Sequence, residues 1–369
     1  MPGTAEAELH KEPGMPIVDL MRLTRFATVA WLAALTSSAS LVVIADPAAA
    51  ETAIRFTLDR RVDGPAAPFF LAIDAGYFKA EGLDVTIEAA TGGSPEAIKR
   101  LATGGADMGV ADINLLIRYR DGNGAPVKAV FIVFDKPCSA IIGRKSHGIA
   151  APKDLEGKKL GAPAAEEAFA QWPIFAKLNG IDAGKVMVEN IGLPVSEPML
   201  AAGEVDAITG CSFTSYVDLK DRGVPPDDLA MLPFADYGLA LYGDAIMVAP
   251  SFAAERPDAV QGFLRAYVKA LKETLRDPAR AIDAMLRRAD GARKEVELER
   301  LRLAIHDNIV TAAVKAAGFG GIDSERFAEA IDQIALAYRF RAKDKAAAVF
   351  DPAFLPAATE RKVRETASR

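Results

Sequence analysis

The sequence predicts an α/β protein of two similar lobes, each built on a parallel-rich sheet. The lobes are joined by a hinge that the chain crosses twice, and a helical C-terminal segment completes the first. Three observations predict this. Short strands alternate with helices from Ile54, a seven-residue pattern recurs about 100 residues later, and the pattern turns wholly helical after Ala249. A chain of 369 residues has room for two domains of about 150 residues each.

Ile54-Arg55-Phe56-Thr57-Leu58 alternates apolar and polar residues and reads as a strand. Residues Pro68–Ala75 read as a helix stopped by Gly76, and Leu83, Val85 and Ile87 mark the next strand. Ser94-Pro95-Glu96 is a helix start, with Ser94 as the expected cap. Gly104-Gly105 ends that helix before the buried strand Met108–Ala111. The echo then appears: Leu101-Ala102-Thr103-Gly104-Gly105-Ala106-Asp107 returns as Leu200-Ala201-Ala202-Gly203-Glu204-Val205-Asp206. The second lobe carries strands at Lys159–Ala162, 185–189 and Val205–Gly210, with helices at Glu166–Asn179 and Phe213–Arg222. Beyond the strand Ala245–Ala249, Val260, Phe263, Leu264, Tyr267, Val268, Leu271 and Leu275 form one apolar stripe on a helix opened by Pro257. Ser324 is the expected cap of a later helix. The divisions expected are 1–50 (extension and signal), 51–145 (first lobe), 146–242 (second lobe) and 243–369 (return to the first lobe and C-terminal helices).

Met21-Arg22-Leu23-Thr24-Arg25 is a short positive segment. An uncharged run from Phe26 to Ile44 follows, and Ala48-Ala49-Ala50 offers small residues for cleavage. This is the layout of an export signal that starts near Met21 and is cut after Ala50, and it predicts a periplasmic product; the competing reading is an uncleaved anchor. With 44 basic and 50 acidic side chains and no basic run, no nucleic-acid partner is expected. The two cysteines, Cys138 and Cys211, could pair in an oxidising compartment, but their positions alone do not bring them together.

Catalytic signatures are missing. After residue 50 only His147 and His306 remain, in no metal-ligand spacing, and there is no GxSxG elbow, phosphate loop or GxGxxG after a strand. No metal and no cofactor is expected. Ligands of open α/β sheets sit where strands end and helices begin, which nominates loops on both lobes. In the first lobe these contribute Asp63, Gly92, Gly93, Asp112, Ile113 and Ser139. In the second they contribute Ala164, Ala165, Glu166, Cys211, Phe213, Asp236, Tyr237 and Tyr242. Asp112 leads this set because it ends a buried strand.

Three runs resemble a known family. Gly76-Tyr77-Phe78-Lys79-Ala80-Glu81-Gly82-Leu83-Asp84-Val85 is similar to the GYFKxEGLDV signature of nitrate, sulfonate, taurine and thiamine-pyrimidine-precursor binding proteins. Asp154-Leu155-Glu156-Gly157-Lys158-Lys159-Leu160-Gly161 resembles their DLKGKKVG run, and Gly203-Glu204-Val205-Asp206-Ala207 their GxVDA turn. The resemblance covers about residues 54–275. It implies the type II periplasmic-binding fold, a small-molecule ligand, an ABC permease as partner and a monomer that closes by domain rotation. The family also has a pyrimidine-synthesising branch marked by a Cys-rich motif and an active-site His. This sequence lacks both.

The cleft loops carry Asp63, Asp112, Glu166, Glu167 and Asp236, with Arg61 as their one arginine, and aromatic residues stand nearby. Carboxylates accept N–H groups and rings cover flat faces, so a neutral or cationic nitrogen heterocycle fits better than an anion. Anionic ligands of the sulfonate, taurine or nitrate type are the alternative.

Overall fold

The computed structural model describes residues 50–363 apart from 91, 125 and 165. Of the expected signal, Met21 to Ala50, all but Ala50 lies outside the described residues. Strand β1 (Thr52–Leu58) leads through α1 (Ala67–Asp74) to β2 (Leu83–Ala89), and α2 (Gly93–Ala102) leads to β3 (Met108–Asp112). Helix α3 (Ile113–Asn123) and β4 (Lys128–Ile132) finish the first pass. The chain crosses and forms β5 (Ser139–Arg144), β6 (Lys159–Ala162), α4 (Glu167–Leu178), β7 (Met187–Asn190), α5 (Ser196–Ala202), β8 (Ala207–Cys211), α6 (Ser212–Asp221) and β9 (Leu229–Pro233). It returns as β10 (Asp244–Val248) and continues into α7 (Pro257–Arg276), α8 (Pro278–Leu286), α9 (Lys294–Ala304) and α10 (Ser324–Ala335).

The two sheets share one plan, β2-β1-β3-β10-β4 and β7-β6-β8-β5-β9. In each, three parallel strands are followed by an antiparallel strand that comes from the other side of the hinge. The recurring heptads occupy equivalent places and do equivalent work. Asp107 Oδ2 accepts the Arg55 amide at 2.8 Å, and Asp206 Oδ2 accepts the Lys159 amide at 2.9 Å, each tying the start of a third strand to the first. Gly104 and Gly203 both turn with left-handed φ, 75° and 76°, where a side chain would be strained.

Three expectations need correction. The boundary at 145 falls too late, because β5 pairs between β8 and β9 and so belongs to the second sheet. The crossings are therefore residues 133–138 and 234–243. Ser94 does not cap α2: Gly92 is the cap residue, and the Ser94 hydroxyl instead bridges two strand ends. Asp323, not Ser324, caps α10, accepting the Arg326 amide at 2.8 Å.

Helix α7 lays Val260, Phe263, Leu264, Tyr267, Val268 and Leu271 against the first sheet, where all are buried. Phe263 stacks on Phe56 and Phe78, with ring centroids 5.1 and 4.7 Å apart, and Tyr267 on Phe69 at 4.5 Å. Each such side chain contributes about 1.5–3 kcal/mol by burial. At the hinge the crossings bond to each other. Val133 and Phe134 donate their amides to the Asp244 carbonyl, and Gly243 donates to that of Phe134. A Cβ at Gly243 would lie 2.9 Å from Pro137 Cα, so this approach requires glycine.

Cys138 and Cys211 form a disulfide, which ties the first crossing to the C-terminal end of β8. Closing a loop of 73 residues, it should stabilise by about 4 kcal/mol through the unfolded chain. The double variant Cys138→Ser with Cys211→Ser is expected to lower the denaturant midpoint and to raise the m-value, because the uncrosslinked unfolded chain exposes more surface. An unchanged midpoint would contradict this account.

Candidate ligand-binding cleft

Charged and polar residues from both lobes converge where the strand ends face each other. From β1 come Asp59 and Arg60, from α2 Ser94, from β3 Asp112, and from the start of β10 Asp244. Opposite them, Glu166 and Glu167 open α4, and Thr209 lies near the end of β8. The Ser94 hydroxyl donates to Asp59 at 2.7 Å and accepts the Asp112 amide at 3.0 Å. Asp112 caps α3, taking the Leu115 amide at 2.8 Å on one oxygen and Asn114 Nδ2 at 3.0 Å on the other. Gln171 Nε2 of the second lobe reaches the same Asp112 oxygen at 3.4 Å. Arg60 donates to Asp59 at 3.0 Å and to Asp244. Thr209 donates to Glu166 at 3.1 Å.

Five carboxyl groups thus surround one guanidinium. Burial pushes Asp112 up to about 8, and the charge of Glu167 adds to this. Burial raises Asp244 well above the carboxylate range against the pull of Arg60. It does the same to Glu166, reinforced by Glu167, and raises Glu167 itself against Arg60. Burial alone would lower Arg60, but Asp244 and Asp59 outweigh it and hold the cation firmly. In water-poor surroundings the acidic excess is tolerable only when the carboxyl groups keep protons or meet a donor.

The lobes touch on either side of this cluster. Buried Arg300 of α9 donates to Asp218 of α6 at 2.5 Å, and Lys220–Glu299 and Arg293–Asp221 pair across the same seam. Beside Asp59, Arg60 and Asp244 a cavity of only about 20 Å³ remains within the first lobe. From the Asp112 edge a cavity of about 490 Å³ opens between α3 and α4, lined by Asn114, Gln171, Arg118, Phe169, Trp172 and Tyr338 among others. That volume is in the range of small-molecule sites.

Of the expected residues, Asp112 and Glu166 stand in the cluster, and Ala164 lines the adjoining cavity. Asp63 is buried just below it, capping no helix with its side chain and pushed up to about 6 by burial against Arg60. Gly92 and Gly93 form the start of α2, which delivers Ser94, not a contact of their own. Ser139 is buried in β5, its hydroxyl without a partner, and Ala165 lies outside the described residues. The others are elsewhere. Ile113 is fully buried in the core. Cys211 is consumed by the disulfide. Phe213 packs edge-on against Phe134 at the hinge, 5.8 Å between centroids. Asp236 is largely exposed and pairs with Lys136 at 3.1 Å. Tyr237 packs on Phe175. Tyr242 is buried at the hinge, its hydroxyl accepting the Asp323 amide at 2.8 Å and its ring under Arg326. Asp236 and Phe213 instead line a separate groove of about 590 Å³. It is larger, but it holds none of the cluster carboxylates.

Sequence reasoning missed Asp59, Arg60, Ser94, Gln171 and Asp244, whereas Asn114 belongs to a loop it expected at the cleft. Asp59 and Arg60 sit directly after β1 and could have been found by extending the loop two residues back. Asp244 could not, because β10 is antiparallel and brings its starting end to the cleft, opposite Asp112. Arg61, the arginine expected there, points outward to Asp218.

Two lobes of one topology, joined by two crossings and closing on a polar cleft, define the type II periplasmic-binding-protein fold. The architecture matches the aliphatic sulphonate binding protein SsuA of Escherichia coli with a TM-score of 0.62 at 16% identity, over 77% of this chain and 91% of that one. The chain belongs to the NMT1/THI5-like family, whose pattern matches residues 65–281. It is 28% identical over 57% of its length to the 4-amino-5-hydroxymethyl-2-methylpyrimidine phosphate synthase of Schizosaccharomyces pombe, and the match spans 62% of that relative. With the formylaminopyrimidine-binding protein of Halalkalibacterium halodurans it shares 26% identity, over 71% of this chain and 78% of the relative.

Proposed function

We propose that this chain is the exported solute-binding component of an ABC importer and captures a nitrogen heterocycle of the aminopyrimidine class between its lobes. The observation that carries this reading is the set of carboxyl groups offered by both lobes. Asp112 and Asp244 face Glu166 and Glu167, so a ring bearing amino and N–H groups satisfies acceptors on both sides and draws the lobes together. An anion at the cluster would meet an acidic wall whose guanidinium, that of Arg60, is already committed to Asp59 and Asp244. The name of the Halalkalibacterium relative points the same way.

The synthase relatives raise the enzymatic alternative. Binding is favoured over catalysis because no free thiol is found among the described residues. His147 follows β5 beside Asp206, at the far end of the second sheet from the cleft, and His306 is solvent-exposed. Incubation with pyridoxal phosphate is expected to yield no pyrimidine.

The test is a thermal-shift comparison. At a hundredfold excess over Kd, formylaminopyrimidine or 4-amino-5-hydroxymethyl-2-methylpyrimidine should stabilise the protein by about 2.7 kcal/mol, with taurine and ethanesulfonate inert. Stabilisation by the sulfonates alone would overturn the ligand class. Native mass spectrometry of freshly purified protein provides an independent reading of any ligand carried along.

A further inference from the structure

We infer that the cleft takes its ligand as a cation, in exchange for protons held by the cleft carboxyl groups. This rests on the cleft being the ligand site and specifies the charge of what enters it. Charge bookkeeping comes first. Arg60 answers Asp59 and Asp244, and no cation is paired with Asp112, Glu166 or Glu167 among the described residues. The partners of Asp112 are the Leu115 amide, Asn114 and Gln171, all neutral donors, and those of Glu166 reduce to Thr209.

The second observation is independent of that charge. Gln171 is buried, with its amide nitrogen on Asp112 and its Oε1 without a donor. Both residues line the cavity of about 490 Å³, so an acceptor without a donor and a hydrogen-bonded carboxyl without a cation belong to one wall. A buried acceptor left unmade costs about 1–3 kcal/mol, and a ligand N–H removes that cost. No three of these side chains converge as metal ligands among the described residues, which leaves an organic cation.

The groups facing Asp112 and Asp244 set the direction of pH dependence. Asp59, Glu167 and one another oppose their ionisation, Arg60 favours that of Asp244, and Tyr267 lies under Asp244. Glu197, itself raised by burial, faces Glu166. Arg118 lines the Asp112 cavity and is the nearest further cation there. With acids in the majority, the closed cleft holds protons near neutrality. A cation entering it replaces them, and the affinity of a permanent cation rises about tenfold per pH unit for each proton released.

Two isosteric probes isolate charge: 1-methyl-4-aminopyridinium, a permanent cation, and 4-methylaniline, neutral above pH 7. Titration calorimetry of the full protein in phosphate and in Tris, between pH 6 and 8.5, counts protons released. The cation is expected to bind at least tenfold more tightly than the aniline at pH 7.5, release a proton, and bind more tightly as pH rises. Asp112→Asn keeps the helix cap, and with Glu167→Gln it should lower the proton count and erase the preference. Equal binding of both probes, binding without proton release, or no binding of the cation at millimolar concentration would each overturn the inference. If 4-amino-5-hydroxymethyl-2-methylpyrimidine then bound with pH-independent affinity, the proposed function would stand without it. Binding of ethanesulfonate alone would remove both.

Discussion

Replacing Arg60 with methionine is expected to destabilise the protein by about 3–5 kcal/mol at pH 7.5, the cost of leaving buried charges without their partner. Arg60 joins Asp59 to Asp244 and faces Glu167 across the cleft. Without it the closed lobes hold only acidic groups at their centre, and either the carboxyl groups take up protons or the lobes part. The loss should therefore shrink at pH 5.5, where protonation substitutes for the missing cation. Arg60→Lys restores the charge but not both bonds at once, so it should recover most of the loss, not all. Urea unfolding of the three proteins at both pH values makes the check. An Arg60→Met protein within about 0.5 kcal/mol of the parent would show that the guanidinium does not hold the cluster together.

The second large effect is the dependence of stability on pH without ligand. Asp63 and Asp112 have native pKa values of about 6 and about 8, above their unfolded value, and Asp244, Glu166 and Glu167 are also raised. The native state then binds more protons than the unfolded chain, so the contribution of these groups is fully present below the unfolded pKa and is lost as pH rises through the native values. Stability should fall between pH 6 and 8, by about 1.4 kcal/mol per pH unit for each excess proton. Surface carboxylates act oppositely at low pH. Glu156, held down by Lys153, and Asp228, held down by the Ser146 amide, both to about 2, contribute stability that is lost only as pH drops toward that value. The optimum should lie on the acidic side of neutrality. Calorimetric Tm values from pH 5 to 9 at constant ionic strength test this, with Asp112→Asn flattening the slope. A Tm that rises from pH 6 to 8 would rule it out.

Both effects depend on residues whose legibility in the sequence differed. Asp112 was readable, because a polar residue ending a buried run must leave the sheet at its C-terminal edge. Glu166 was readable as the start of a helix. The aromatic residues expected to cover a ligand were read from proximity in sequence, and Phe213, Tyr237 and Tyr242 went instead to hinge packing. Their large apolar area is worth more buried against Phe134, Phe175 and Phe327 than held at a wet cleft. The aromatic wall of the cavity comes from Phe169, Trp172 and Tyr338, and Tyr338 lies more than 200 residues beyond Asp112 in the chain.

The two-lobed α/β architecture was legible from the residues alone, because local periodicity, glycine turns and the recurring heptad are all short-range signals that each lobe reads out alone. Asp107 and Asp206 carry that repeat into equivalent hydrogen bonds. The content of the cleft came instead from contacts between distant segments. The antiparallel return of β10 brings Asp244 beside Asp112, and the pairing of β5 with β8 places Cys211 against Cys138. The charge state of the cluster follows from burial that no single segment provides. Topology sets which charges meet, and desolvation sets what that meeting costs.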